Sequence, residues 1–289
     1  MNCKKGDLVS IRDLSSSDIE EIYKLTKDLK ANPVQDLLKK KTIAMIFEKP
    51  SNRTRVSFEV GMYQLGGHAI SLGDATIQLG VRESIADAAR TLSRYVDGIV
   101  IRTFAHSTVK EMAAHASVPV INALSDRSHP CQALADVYTL MEKKGDIKGL
   151  KLVFIGDGNN VARSLKVLCE KVGIHFILSA PKGYEMEDCA LIRDPKEAVA
   201  DADVIYTDVW ASMGQEDEYK KRKKDFAKYQ INEKLLEHAR RDVLIMHCLP
   251  AHRGEEITDG VMESMNSIVF DQAENRLHVQ KAVMVKLIG

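Results

Sequence analysis

The feature that most constrains the fold is a recurrence of short apolar runs, at residues 42–47, 98–102, 118–122, 151–155, 175–179, 203–207 and 243–247, with helical periodicity in most of the intervals. Such runs read as strands buried on both faces, and strands separated by helices pair in parallel, because a parallel pair needs a crossover long enough to hold a helix. The pattern predicts an α/β protein: two doubly wound domains, each with a mostly parallel sheet flanked by helices. At 289 residues the chain can bury two such cores. No internal repeat or low-complexity linker breaks the alternation. In open α/β sheets ligands bind beyond the carboxyl ends of the strands, so the polar residues that follow each run are the candidates for function.

After 42–47 comes a Glu48-Lys49-Pro50 turn, then Ser51-Asn52-Arg53-Thr54-Arg55 opening a helix whose apolar stripe is expected at Val56, Val60 and Tyr63. Ser51 suits the N-cap. A helix start with unpaired N–H groups, hydroxyls and guanidiniums is an anion cradle suited to a phosphate. No glycine-rich loop precedes it, so it is not a P-loop. The competing reading is a capped helix with solvated arginines. Upstream, Ser17-x-x-Glu20 predicts a capping box for a helix reaching about Leu29.

Other strand ends carry their own clusters. Arg102 follows 98–102, and is either an anion ligand or a surface ion-pair partner. His129-Pro130-Cys131-Gln132 puts Pro130 at the first position of a helix ending near Lys144, His129 at its mouth and Gln132 in its first turn. Gly156-Asp157-Gly158-Asn159-Asn160 invites a dinucleotide reading, but Val161 stands where a third glycine is needed and the next strand ends in Ser179-Ala180-Pro181, without an acid for a ribose. The asparagines are neutral donors and acceptors at a strand-to-helix corner. Asp208-Val209-Trp210 leads into Ser212-Met213-Gly214, read as a flexible lid. The run Lys220–Lys224 reads as a solvated helix face. His247, Cys248 and His252 match no common zinc spacing, so no metal is expected.

Charge is balanced at 41 basic and 41 acidic residues, which favours neither nucleic acid nor an anionic membrane. No run is long enough to span a bilayer, and the N-terminal residues show neither an apolar nor an amphipathic leader. Five cysteines, without a Cys-x-x-Cys pair, suggest reduced thiols and a cytoplasmic location.

These motifs together resemble the aspartate/ornithine carbamoyltransferase family, and within it the ornithine-using branch. Ser51–Arg55 is similar to its carbamoyl-phosphate motif, usually Ser-Thr-Arg-Thr-Arg. His129–Gln132, Asp208–Trp210 with Ser212–Gly214, and His247-Cys248-Leu249-Pro250 match its other signatures, in order along nearly the whole chain. The resemblance implies transfer of the carbamoyl group of carbamoyl phosphate to the side-chain amine of L-ornithine, giving L-citrulline and phosphate in arginine metabolism, with no cofactor. It implies that Ser51, Asn52, Arg53, Thr54, Gln78, Arg102, His129, Gln132, Cys248, Leu249 and Arg276 bind carbamoyl phosphate, with Gln78 reaching a neighbouring subunit's site. Asn160, Asp208, Ser212 and Met213 would bind ornithine. Arg53, Arg102, His129 and Cys248 would serve catalysis. It further implies a homotrimer with shared active sites, a carbamoyl-phosphate domain over 1–127 with helix 275–289 packed back on it, and an ornithine domain over 128–274. Two departures stand out: Asn52 replaces a threonine, and the segment Tyr184–Lys196 is shorter than usual. A nicotinamide-dependent oxidoreductase and a non-catalytic regulatory relative are the rival classes. The Gly-x-Gly shortfall argues against the first, and the retained Arg53, Arg55 and Arg102 against the second.

Overall fold

The structure, a computed structural model, describes residues 6–73, 79–211, 214 and 216–289. It divides into two compact units, 1–138 with 274–289, and 139–273.

The first unit holds strands β1 (Thr42–Phe47), β2 (His68–Gly73), β3 (Gly98–Arg102) and β4 (Val120–Leu124), parallel and in the order β2-β1-β3-β4. Helix α1 (Ser16–Ala31) is capped by Ser15 with Asp18 in the reciprocal position, two residues earlier than the expected Ser17/Glu20 box. Helix α2 (Asn52–Gln64) follows β1; α3 (Ile85–Leu92) and α4 (His106–His115) flank β3. Ala44 and Ile46 pack with Ile99, Ile101, Val109 and Met112 in one core cluster. The expected stripe on α2 is reversed. Its buried face is Thr54, Phe58, Gly61 and Met62, while Val56 and Val60 are exposed and Tyr63 is 81% exposed. Gly61 explains the choice: a Cβ there would come within 3.0 Å of Met284 Cε and 3.2 Å of Lys281 Cγ, so its lack of a side chain lets the C-terminal helix approach.

Helix α5 (Pro130–Lys144) leads into the second unit, with β5 (Lys151–Ile155), α6 (Asn160–Val172), β6 (His175–Ser179), β7 (Ala190–Leu191), α7 (Pro195–Val199) and β8 (Val204–Thr207). Then come α8 (Tyr219–Asp225), α9 (Glu233–Leu236), β9 (Leu244–His247), α10 (Asp259–Met262) and α11 (Val269–Ile288). This sheet is also parallel, in the order β7-β6-β5-β8-β9. Trp210 is buried in its core and stacks on Phe226 at 6.1 Å between ring centroids.

Chain order reverses once in each sheet, between β1 and β3 and between β5 and β8. Phe47 pairs with Arg102 at the first reversal and Ile155 with Thr207 at the second. Loops leaving neighbouring strands in opposite directions open a crevice at such a point. The clusters after β1, β3, β5 and β8 thus lie where each sheet has room for a ligand, and those after β4 and β9 follow the adjacent strands. Among the described residues no helix is long and apolar enough to cross a membrane.

Candidate active site

At the β1/β3 reversal Ser51 caps α2, its Oγ accepting from the Thr54 N–H at 3.3 Å. The cap leaves other N–H groups of the first turn pointing outward at the positive end of the helix dipole. Asn52 and Arg53 are exposed there and Thr54 is buried. Arg102, the last residue of β3, and Arg276, on α11, are both buried. Arg276 donates through Nη1 to Gln132 Oε1 at 2.6 Å, through Nη2 to Thr54 Oγ1 at 3.4 Å, and through Nε and Nη2 to Gln280 Oε1 at 3.0 and 2.7 Å. Gln132 in turn donates to Asp136 at 2.8 Å. The structure therefore brings Ser51, Thr54, Gln132 and Arg276 into one hydrogen-bonded group.

His129 is 5% exposed. Burial, reinforced by the positive charges of Arg276 and Arg102, holds its pKa well below the ordinary histidine value. The imidazole is thus neutral near pH 7 and keeps one N–H to donate, without the charge that would make it an acid. Neighbouring Cys131 is buried, its thiol facing Asn122 O at 3.6 Å, and burial pushes its pKa up to about 11. It packs; it does not react.

The β5/β8 reversal has the opposite character. Asp208, buried, accepts from Asn159 Nδ2 at 2.8 Å, its neighbour Val209 N–H at 2.8 Å and Cys248 Sγ at 3.0 Å. Asn159 also caps α6, accepting from the N–H groups of Val161 and Ala162, and Asn160 is half-buried beside it. Asn159 is the asparagine of this corner that touches the carboxylate. Gly158 serves packing rather than a dinucleotide: a Cβ there would meet Met186 Cγ at 2.5 Å and Tyr184 O at 3.0 Å.

The turn after β9 is fixed from beneath. His247 Nδ1 accepts the Leu249 N–H at 2.9 Å, which puts the ring proton on Nε2, 2.9 Å from buried Glu256. Glu256 also accepts from the His252 N–H at 2.6 Å. Leu249 sits at φ 56°, a left-handed conformation rare for leucine and of the kind that persists only where surroundings enforce it. Side-chain donor atoms of Asp208, His247 and Cys248 lie within 4.8 Å of one another, but both His247 nitrogens are already engaged.

The predicted solvated face 220–224 needs correction at its centre. Arg222 is buried, with Nη1 on Asp157 at 2.7 Å and Trp210 O at 3.1 Å, and Nε on Glu218 at 2.8 Å. Gln78, Ser212 and Met213 lie outside the described residues. Sequence reasoning placed Asn159 at the strand-to-helix corner without assigning it a partner, and it missed the contacts of Arg222, Glu256 and Gln280, which carry no local signal.

The carbamoyl-P binding domain of aspartate/ornithine carbamoyltransferases matches residues 6–142, and their Asp/Orn binding domain matches 148–287. The chain belongs to the aspartate/ornithine carbamoyltransferase family. It is 53% identical over 303 residues to the ornithine carbamoyltransferase of Thermococcus kodakarensis, covering 98% of this chain and 96% of that one. The solved ornithine carbamoyltransferase of Pyrococcus furiosus superposes with a TM-score of 0.96 at 51% identity, covering 100% and 99% of the two chains. A solved N-acetyl-L-ornithine transcarbamylase mutant is more distant, at TM-score 0.88 and 31% identity, covering 98% and 99%. Both halves of this family member thus match along their length, which leaves no segment requiring the oxidoreductase reading.

Proposed function

We propose that this chain transfers the carbamoyl group of carbamoyl phosphate to the side-chain amine of L-ornithine, releasing L-citrulline and phosphate. The observation that carries the reading is the pair of sheet reversals: a cationic cradle with a neutral histidine at one, a carboxylate among neutral donors at the other.

The α2 N-terminus with Ser51, Asn52, Arg53, Thr54 and Arg102 receives the phosphate. Asn52 lacks the usual hydroxyl, so its contribution is the backbone N–H of the first helical turn. His129 and the Thr54 hydroxyl donate to the carbamoyl oxygen, and Gln132 and Arg276 complete that side. As the ornithine amine adds, the oxygen gains charge and these donors bind it more tightly than in the ground state, which is what lowers the barrier. The tetrahedral carbon then expels phosphate, which takes up the proton the amine nitrogen loses and whose charge Arg53 and Arg102 already meet. The nucleophile is an amine with a solution pKa near about 10.4, so nearby cations help by favouring its neutral form.

Asp208 pairs with the α-ammonium of ornithine, Asn160 and the Ser212-Met213 segment hold the rest of the head group, and Leu249 and Cys248 line the reacting end. No covalent intermediate is needed. The family's homotrimer is proposed for this chain, with Gln78 serving a neighbour's site; the exposed Val56, Val60 and Tyr63 on α2 support a covered apolar face. Among the described residues Cys131, Cys169, Cys189 and Cys248 form no disulfide, which suits the cytoplasm.

A panel of acceptors assayed with carbamoyl phosphate tests the reading. Ornithine should lead, with lysine, putrescine, N-acetylornithine and aspartate each losing a head-group contact or misplacing the amine. Asp208→Asn should raise KM for ornithine by about tenfold or more while changing KM for carbamoyl phosphate little. N-acetylornithine outrunning ornithine would overturn the acceptor and leave the cradle standing.

A further inference from the structure

We propose that Gln280 is a positioning residue for carbamoyl-phosphate binding: it clips Arg276 to the first turn of α2 and orients the guanidinium without cancelling its charge. The inference rests on the carbamoyl-phosphate reading of the cradle.

Gln280 is fully buried on α11, one helical turn beyond Arg276. Its carbonyl oxygen takes two N–H groups from one edge of the Arg276 guanidinium, at 3.0 and 2.7 Å. Its amide nitrogen donates to Ser57 Oγ at 2.7 Å. Ser57 Oγ in turn lies 2.7 Å from Arg53 O and 3.2 Å from Thr54 O. One side chain therefore joins the arginine to the backbone of the residues that open the cradle. Two of the arginine's remaining contacts, with Gln132 and Thr54, fall on other members of the same group. Without the bonds of Gln280 the guanidinium and the helix start could move independently.

The chemistry of the acceptor matters as much as its place. The edge of a guanidinium is usually met by a carboxylate, in a charge-assisted pair. A carboxylate at Gln280 would form that pair and spend the arginine's field on the protein. The amide gives a similar geometry with no net charge, so the positive field stays directed at an incoming dianion. The same holds for two further acceptors, Gln132 and Thr54, which are also neutral. Glutamine is thus the residue type that orients and does not neutralise.

The test uses the full-length protein with Gln280→Glu, Gln280→Met and Ser57→Ala, assayed for thermal stability, for inorganic phosphate binding by calorimetry, and for KM of both substrates. Gln280→Glu should melt close to wild type yet raise KM for carbamoyl phosphate by about tenfold or more, with KM for ornithine at saturating carbamoyl phosphate unchanged. Gln280→Met, which keeps volume but not the bonds, should melt lower than Gln280→Glu and lose less affinity for phosphate. A purely structural role reverses that order, with affinity following melting temperature. Gln280→Glu binding phosphate and carbamoyl phosphate within about twofold of wild type would overturn the proposal. Should Gln280→Glu not fold, folded Gln280→Met and Ser57→Ala decide it: unchanged KM for carbamoyl phosphate in both would overturn it, and a selective rise in either would support it. A wild type that binds neither anion would sink the functional reading itself, an outcome distinct from a wild type that binds and a variant that binds equally well.

Discussion

At the β1/β3 reversal, buried Arg276 is oriented by amide and hydroxyl oxygens, and a histidine is kept neutral by burial beside it. At the β5/β8 reversal, buried Asp208 is oriented by an amide nitrogen, a backbone N–H and a thiol. The two places share one topological rule and carry opposite charge, so the fold fixes where a ligand can sit and the residue types at the strand ends fix which ligand. A second contrast lies within the second reversal, between the loops after β5 and β8. Asp157, beside Asn159, is closed into an ion pair with Arg222 at 2.7 Å. Asp208 is held only by neutral donors in those contacts. A charge held by neutral partners keeps its field for a substrate, whereas a paired charge ties structure together.

The largest effect expected from breaking this contrast is at Arg102. Arg102→Ala removes a buried cation from the cradle and should lower kcat/KM for carbamoyl phosphate by about 10²–10³ or more. KM for ornithine should move far less. Steady-state kinetics on protein shown to be folded by its melting curve would check this, and an equal loss for both substrates would erase the distinction between the two reversals.

Much of this arrangement was legible in the sequence. Fully buried parallel strands announce themselves as apolar runs, and polar residues after them mark the ligand-facing edge. Strand β2 escaped because its pattern is half-exposed, so His68 to Gly73 forms no continuous apolar run. The Val56-Val60-Tyr63 stripe misled because periodicity identifies an apolar face but not which face the tertiary structure covers; Gly61 and Met62 won through close packing. At α1, adjacent serines offered two boxes, and Asp18 reaching back to Ser15 N–H at 2.8 Å fixed the earlier one. Arg222 was hidden in a lysine-rich run, since nothing local reveals a partner 65 residues away. Gln280 was illegible for the same reason: its meaning depends on Arg276 and Ser57, brought together only by the fold.

A smaller effect sharpens the electrostatic side of the contrast. The folded pKa of His129 lies well below 6.5, while the unfolded chain takes up that proton near 6.5. Its contribution to stability is therefore complete above about pH 6.5 and is lost as pH falls, by at most about 1.4 kcal/mol per pH unit, until the folded group itself titrates. His129→Gln keeps a donor but cannot titrate. Denaturant unfolding at pH 5.5 and 7.5 should show a loss of stability on acidification that is smaller in the variant by about 1 kcal/mol. Parallel losses would mean that His129 is protonated in the folded cradle, and that its role as a neutral donor is wrong.

The smallest effect separates the two reversals by their thiols. Cys131, beside the cradle, is buried with a pKa of about 11, so it carries almost no thiolate at neutral pH. Cys248 is partly exposed, and its Sγ lies 3.0 Å from Asp208 Oδ1. The thiol donates to that carboxylate, so alkylation of the sulfur has to break the contact. Alkylation of the native protein by iodoacetamide, mapped by peptide mass, should therefore modify Cys248 slowly and leave Cys131 untouched. Asp208→Asn should speed Cys248 several-fold, because an amide oxygen is a weaker acceptor and holds the thiol less firmly, and should not change Cys131. Ornithine should protect Cys248 in the wild type and much less in the variant, which lacks the carboxylate proposed to meet its head group. If Asp208→Asn leaves the Cys248 rate unchanged, the carboxylate does not govern that sulfur, and the negative field assigned to the second reversal loses its most direct support.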